Sequence, residues 1–270
     1  MILNDMILQK RKDLEELKQR MPLQRLQRII EKTERTKPRS FRNALLSARH
    51  LNIIAELKKA SPSEGVLREN FQPLRIASLY EYAGACAISV LTEPHFFKGR
   101  PSYLKTVRQV TRLPLLRKDF LFERYQLYET AILEADAFLL IAAILSEKDL
   151  KDLIALGKEL GMDALVEIHS DAELKKAVEA GASIVGINNR DLKTLKVDPE
   201  RAQHLIPHIP KGTVIVVESG LSTHEELLRY KSLGAHAFLI GSALMKSGDI
   251  VATLHKLLGK KETAVAEEPT

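Results

Sequence analysis

The segment Ile53-Ile54-Ala55-Glu56-Leu57-Lys58-Lys59-Ala60-Ser61-Pro62-Ser63 opens as an apolar run of strand type and closes in a small-residue loop broken by proline. Glu56 and Lys58 stand two residues apart, which on a strand puts both side chains on one face. A carboxylate and an ammonium at the end of an apolar strand are costly to bury without a purpose. On this stretch alone, a structural ion pair explains the two charges as well as a reactive site does. What surrounds it decides between them.

If residues 51–57 are the first run, seven more of the same kind follow, at 87–91, 113–116, 138–142, 164–168, 184–187, 213–217 and 237–240. Amphipathic stretches lie between them. These are 73–83 with proline in its first turn, 123–134, 146–160 opening with Ser146-Glu147-Lys148-Asp149, 171–180 and 222–233. Strand, helix, strand with short connections implies parallel pairing. Eight such units in one domain imply the α/β class and a closed (β/α)8 barrel, the TIM barrel. A doubly wound open sheet is the alternative, but no GxGxxG follows the first run. A faint internal repeat supports the ring. Gly84-Ala85, Gly181-Ala182 and Gly234-Ala235 precede the second, sixth and eighth runs, with Glu134-Ala135 at the fourth. A glycine that ends each helix in the left-handed conformation would explain the first residue of each pair.

Ahead of the first run, Leu3, Met6, Ile7, Leu14 and Leu17 recur at helical spacing among charged residues, and Met21-Pro22 ends that helix. A second, basic helical segment runs to about residue 35, a loop covers 36–40, and Ser40 is placed to cap a helix over 41–49. The expected division is an N-terminal helical extension covering the barrel (1–50), the catalytic barrel (51–259) and a disordered Lys-, Glu- and Ala-rich tail (260–270).

Composition narrows the function. The chain of 270 residues has 41 Lys and Arg against 35 Asp and Glu, a net charge of +6 spread along its length, and no Trp. That balance suits an anionic small substrate, and no interleaved aromatic and basic pattern points to nucleic acid. The single cysteine, Cys86, excludes an internal disulfide, fits a reducing cytoplasm and reads as a small core residue. No apolar run reaches membrane-spanning length, and no cleavable leader is expected. A cytoplasmic monomer with neither a membrane nor a nucleic-acid partner is expected.

Chemistry in such a barrel sits where the strands end. The first ends with Glu56 and Lys58, the second runs into Thr92-Glu93-Pro94-His95-Phe96-Phe97, and the third into Arg117-Lys118-Asp119-Phe120. The fourth ends with little polarity. The fifth ends at Glu167-Ile168-His169, the sixth at Asn188-Asn189-Arg190-Asp191, the seventh at Glu218-Ser219-Gly220 and the eighth at Gly241-Ser242. After the last two, barrels of this type commonly hold a phosphate on backbone N–H groups and a helix N-terminus, with serine as an extra donor. A pair of tight turns is the plainer explanation of either motif alone; both at those two loops favour phosphate.

Glu56, Lys58, Lys118, Glu167, Asn188 and Arg190 complete the ring. Any one of them would pass as a solvated rim charge, but six around one mouth are harder to dismiss. Three cations suit a second anionic group on the substrate. Lysines crowded by other cations are expected to fall from about 10.4 toward working pH, which suits a general acid, with Glu167 the matching base. His95 and His169 lie near the mouth without a second ligand at metal spacing, so neither a metal nor another cofactor is expected. By alternation Asp119 should turn away into a structural ion pair, and Asn189 and Glu218 should face outward.

Six ordered segments then carry a resemblance: Ile54-Ala55-Glu56-Leu57-Lys58-Lys59-Ala60-Ser61-Pro62-Ser63, Ser89-Val90-Leu91-Thr92-Glu93, Arg117-Lys118-Asp119-Phe120, Leu165-Val166-Glu167-Ile168, Gly186-Ile187-Asn188-Asn189-Arg190-Asp191-Leu192 and Glu218-Ser219-Gly220. Together they resemble indole-3-glycerol phosphate synthase, a lyase of tryptophan biosynthesis, over all but the tail. The resemblance implies ring closure of 1-(2-carboxyphenylamino)-1-deoxyribulose 5-phosphate with loss of carbon dioxide and water. It implies that Lys118 is the general acid and Glu167 the general base, with Lys58 on the substrate carboxylate and available as a second proton donor. Glu56 and Asn188 would orient these groups. Ser61 and Arg190 would bind substrate, and Phe97, Phe120, Leu139 and Leu192 would enclose the anthranilate ring. Ser219, Gly220, Leu239, Gly241 and Ser242 would hold the phosphate. Another phosphosugar barrel enzyme, such as an isomerase, would need a strand-end Asp or Cys pair that is missing here. A non-catalytic binder of phosphorylated ligands or RNA would leave Glu56, Lys118 and Glu167 without a reason.

Overall fold

A computed structural model of the protein describes residues 2–32, 38–48, 50–192 and 194–260. Three helices come first: α1 (Ile2–Arg20), α2 (Leu23–Lys32) and α3 (Phe41–Leu45). Strand β1 (Ile53–Leu57) leads into a small hairpin, β2 (Ala60–Ser61) and β3 (Gly65–Val66). Helices and strands then alternate: α4 (Pro73–Ala83), β4 (Ala87–Leu91), α5 (Ser102–Arg108), β5 (Leu115–Lys118), α6 (Arg124–Ile132) and β6 (Ala137–Ile141). Next come α7 (Glu147–Glu159), β7 (Asp163–Ile168), α8 (Asp171–Glu179), β8 (Ile184–Asn188), α9 (Glu200–Leu205) and β9 (Val214–Glu218). The last elements are α10 (His224–Leu233), β10 (Ala237–Ile240), α11 (Ser242–Lys246) and α12 (Ile250–Leu258). Leaving out the hairpin, the strands pair in parallel in the order β1-β10-β9-β8-β7-β6-β5-β4, and β1 closes the ring by pairing with both β10 and β4. This is the expected (β/α)8 barrel, with helices preceding it.

Alternation along each strand makes two cores. Inward residues such as Ile54, Leu116, Leu139, Leu165, Val214, Val216 and Leu239 fill the barrel. Outward residues such as Ile53, Val90, Phe138, Val166 and Val217 pack beneath the helices. At roughly 25 cal/mol per Å² of apolar surface, these two layers are the main source of stability. Cys86 is buried between the end of α4 and β4.

Local chemistry accounts for most boundaries. Ser40 Oγ accepts from Asn43 N at 3.1 Å and Ser146 Oγ accepts from Asp149 N at 3.1 Å, as N-caps. Gly84, Gly181 and Gly234 all adopt left-handed φ (100°, 84° and 115°), and Glu134 takes the same conformation at φ 64° despite its side chain. The repeat is thus a backbone requirement that three of four sites meet with glycine. Some expectations needed correction. The third barrel strand starts at Leu115, after Pro114, which has no N–H for the ladder but whose carbonyl accepts from Ile88 N at 3.0 Å. The stretch from Ala60 was expected to be a loop and instead forms half of an antiparallel hairpin. Helix α3 stops at Leu45, short of the expected 49. The expected helix end near 35, the loop start at 36–37 and the tail at 261–270 lie outside the described residues.

Candidate active site

The inward positions at the C-terminal strand ends converge on one cavity of about 410 Å³, within the usual size range for a small-molecule site. Every expected site residue lines it: Glu56, Lys58, Lys118, Glu167 and Asn188; Ser61, Phe97, Phe120, Leu139, Arg190 and Leu192; Ser219, Gly220, Leu239, Gly241 and Ser242. Leu3 and Met6 of α1 also line it.

The polar end is built from carboxylates and ammonium groups. Lys58 Nζ lies 2.9 Å from Glu56 Oε2. Lys118 Nζ lies 2.9 Å from Glu167 Oε2 and 2.9 Å from Glu218 Oε2. Asn188 Oδ1 accepts from Arg190 N at 2.9 Å, which fixes the amide, while Arg190 Nη1 donates to Leu195 O at 2.8 Å. Two glycines make room for the acids. A Cβ at Gly186 would stand 2.3 Å from Glu218 Oε1, and one at Gly241 would stand 2.2 Å from Glu56 Oε2. The glycine at 241, expected only to admit phosphate, clears space for an acid.

Glu218 is the main correction. It was expected to face outward, yet it points into the barrel beside Lys118. On β9 the inward set is Val214, Val216 and Glu218, and the left-handed Ser219 (φ 68°) breaks the alternation just after it. Asn189 does face outward, where its Nδ2 donates to Tyr230 Oη at 3.3 Å. Asp119 also turns away, 2.6 Å from Lys10 and 3.2 Å from Arg117.

The electrostatics also reverse one expectation. Burial works against the Lys118 ammonium, but Glu167, Glu218 and Glu56 outweigh it and raise its pKa above the usual lysine value. Lys118 is thus a protonated donor among carboxylates. For Glu167, burial favours the neutral acid, but Lys118 and His169 outweigh it and hold the carboxyl below its ordinary range. For Glu218, burial dominates, the charges of Glu167 and Glu56 add to it, and the pKa is pushed up to about 7 against the pull of Lys118. Two carboxylates sharing one cation are driven apart in this way. Glu167 Oε1 and Glu218 Oε1 are buried with no hydrogen-bond partner. His169 Nε2 stands 3.5 Å from Glu167 Oε1 but outside hydrogen-bond geometry.

The apolar end has its own support. Glu93 Oε1 accepts from His95 N, and Oε2 accepts from Phe96 N and Phe97 N, at 2.7 to 3.0 Å, pinning the loop that carries Phe97. The Phe97 and Phe120 rings lie 6.4 Å apart with their planes tilted by 49°. The third end of the cavity is formed by the left-handed Ser219 and Gly220 and by Gly241-Ser242. Sequence reasoning passed over Glu64 and Lys246, which also line it. Both lie within ordinary polar runs, and only the fold brings them to this wall. The one described His and carboxylate group compact enough for a cation is Asp171, His204 and His208, exposed and outside the cavity.

A closed barrel whose strand ends hold a buried ammonium between two acids, beside an apolar wall and a pair of glycine–serine turns, defines a (β/α)8 acid–base enzyme. Comparison with known proteins gives the family. The family model "Indole-3-glycerol phosphate synthase" matches residues 3–257, and the chain belongs to that family. It is 48% identical over 252 residues to the indole-3-glycerol phosphate synthase of Campylobacter curvus, covering 93% of this chain and 96% of that protein. It is 44% identical over 261 residues to that of Dehalococcoides mccartyi, covering 96% and 100%. Among solved structures, 3-hexulose-6-phosphate synthase from Salmonella typhimurium matches with TM-score 0.62 at 16% identity, over 77% of this chain and 97% of that one. A mutant tryptophan synthase α-subunit of Pyrococcus furiosus matches with TM-score 0.58 at 17% identity, over 77% and 98%. Those two likenesses show the fold alone.

Proposed function

We infer the following division of labour in this indole-3-glycerol phosphate synthase, a carbon–carbon lyase of tryptophan biosynthesis. Its substrate is 1-(2-carboxyphenylamino)-1-deoxyribulose 5-phosphate; its products are indole-3-glycerol phosphate, carbon dioxide and water. The anthranilate ring lies against Phe97, Phe120, Leu139 and Leu192, its carboxylate faces Lys58, and the phosphate sits at the glycine–serine end. Arg190 and Ser61 hold the chain between the two. Lys118 gives its proton to the ketone oxygen as the aryl carbon bonds to the carbonyl carbon. Loss of carbon dioxide then restores the aromatic ring. In dehydration the new hydroxyl leaves as water on accepting a proton from Lys58, and Glu167 removes the proton that lets the double bond form. Glu218, whose pKa is near neutrality, is placed to return a proton to Lys118. Glu56 and Asn188 orient these groups.

The observation that carries this reading is Lys118 Nζ held 2.9 Å from both Glu167 and Glu218 inside the cavity. The test is turnover of the carboxyphenylamino substrate followed by indole fluorescence. Lys118→Met should cut kcat by roughly 10²–10⁴ with an unchanged circular dichroism spectrum. Near-normal turnover in that variant would sink the assignment. No helix of the described residues is long and apolar enough to cross a membrane, and the buried cysteine supports a cytoplasmic setting for this reading.

A further inference from the structure

The glycine–serine end of the cavity already has an anion in it. Glu64 stands at the end of the turn that joins β2 to β3. Its Oε2 accepts from Ser242 Oγ at 2.6 Å, and its Oε1 accepts from Lys246 Nζ at 2.6 Å. Both contacts are short and the second is charge-assisted, the strong class of hydrogen bond. Burial works against the ionised form, but the bonds from Lys246 and Ser242 and the charges of Lys246 and Lys58 outweigh it and hold the carboxyl below its usual range. Nearby, Arg68 is anchored independently of Glu64: its guanidinium donates to Met245 O at 3.0 Å and also to Ser247 O. The segment after the hairpin is therefore tied to the end of α11 whether or not Glu64 keeps its partners.

We propose that Glu64 is a built-in occupant of the phosphate subsite, that Lys246 is a phosphate ligand of that subsite, and that substrate binds by exchanging its phosphate for the Glu64 carboxylate. The proposal rests on the assignment of Ser219, Gly220, Gly241 and Ser242 as the phosphate end. A tethered carboxylate competes at a high effective concentration, of millimolar order for a short link. A lone monoanion offers Ser242 and Lys246 no more than Glu64 already does. A phosphate dianion offers more charge and a third acceptor oxygen for the backbone of the 219–220 and 241–242 turns, which line the same end of the cavity. Glu64 thus makes the subsite selective for phosphate over simple carboxylates, and Lys246 keeps its charge compensated in both states.

The test uses inorganic phosphate as an inhibitor of the full-length enzyme, competing with the carboxyphenylamino substrate. Removing the carboxylate by Glu64→Gln should lower the phosphate inhibition constant roughly tenfold, the effect of one charge-assisted hydrogen bond no longer contested. Lys246→Gln should raise it several-fold, and in the double variant the gain from Glu64→Gln should shrink. A tighter phosphate constant cannot come from misfolding, so the expected result is self-controlled. An inhibition constant in Glu64→Gln within twofold of the wild type, or weaker, overturns the exchange. If phosphate competes in neither Glu64→Gln nor the wild type, the phosphate end itself is misassigned. If it competes there while Glu64→Gln is silent, the exchange alone is wrong.

Discussion

Glu218 shows what a single residue's face decides. Its carboxyl shares one cation with Glu167, and burial leaves it the weaker claimant, so its pKa rises to about 7 from an ordinary 4.5. The consequence for stability has a definite sign. Between those values the folded protein holds a proton that the unfolded chain has lost, so stability falls as pH rises through this window. Glu167 acts in the opposite sense, but its held-down carboxyl is lost only as pH falls below its ordinary range. Glu218→Gln should therefore flatten the decline between about pH 4.5 and pH 7, measured as the urea midpoint against pH. An unchanged slope would show that Glu218 does not titrate there. Most of the cavity's polar wall was legible in the sequence, because strand parity puts Glu56, Lys58, Lys118, Glu167 and Asn188 on inward positions. Glu218 was not. Parity counted back from Ser219, expected to face a phosphate, gives the wrong face, and the left-handed turn at Ser219 is invisible in the residue string.

At the scale of elements, caps and periodicity placed α4, α6, α7, α8 and α10 to within a few residues and left α5, α9, α11 and α12 unmarked, while close packing was not readable. Gly157, inside α7, is such a case. A Cβ there would meet Phe138 Cε1 and Cζ of β6 at 2.3 Å, so the glycine is the contact that lets α7 lie against the strand. Helix propensity favours alanine over glycine by about 1 kcal/mol, but overpacking of a rigid ring costs about 1–3 kcal/mol. Gly157→Ala should lower unfolding stability by about 1–2 kcal/mol in urea titration. A stabilised variant would mean that Phe138 gives way freely. The β2–β3 hairpin was missed for a related reason. Its two-residue strands carry no periodic signal, and it exists because the turn folds back over the cavity.

For the whole molecule, the open question is how the helical extension serves the barrel. Helix α1 sets Leu3 and Met6 into the cavity wall and is tied down by charge. Lys10 Nζ lies 2.6 Å from Asp119 Oδ1, and Asp13 Oδ2 lies 2.9 Å from His95 Nε2. Asp119 also has Arg117, Thr92 and the Phe120 N–H, so loss of Lys10 leaves it partly paired. Lys10→Met should then cost about 1–3 kcal/mol, concentrated in the seating of α1. KM should rise several-fold with a smaller change in kcat, and limited trypsin digestion should cut α1 sooner. Equal protease resistance and an unchanged KM would mean that the apolar contacts of α1 suffice without the tether.

The sequence by itself determined the barrel, because period-two and period-3.6 patterns with short connections leave few ways to bury eight strands. It also determined most of the strand-end side chains of the cavity, because strand ends in such a ring face one mouth, but not the inward Glu218 or the Glu64 and Lys246 of its wall. The opening pair, Glu56 and Lys58, is both things at once: an ion pair at 2.9 Å and part of the wall of the site. Only the tertiary structure decided which charges meet. Lys118 meets Glu167 across 49 positions of chain, and Ser242 meets Glu64 across 178. Those distances set whether a lysine is crowded by cations or by acids, and whether the Ser242 hydroxyl is open or already held by Glu64. No local pattern carries that information, because the electrostatic environment of a buried group is the sum over its neighbours in space.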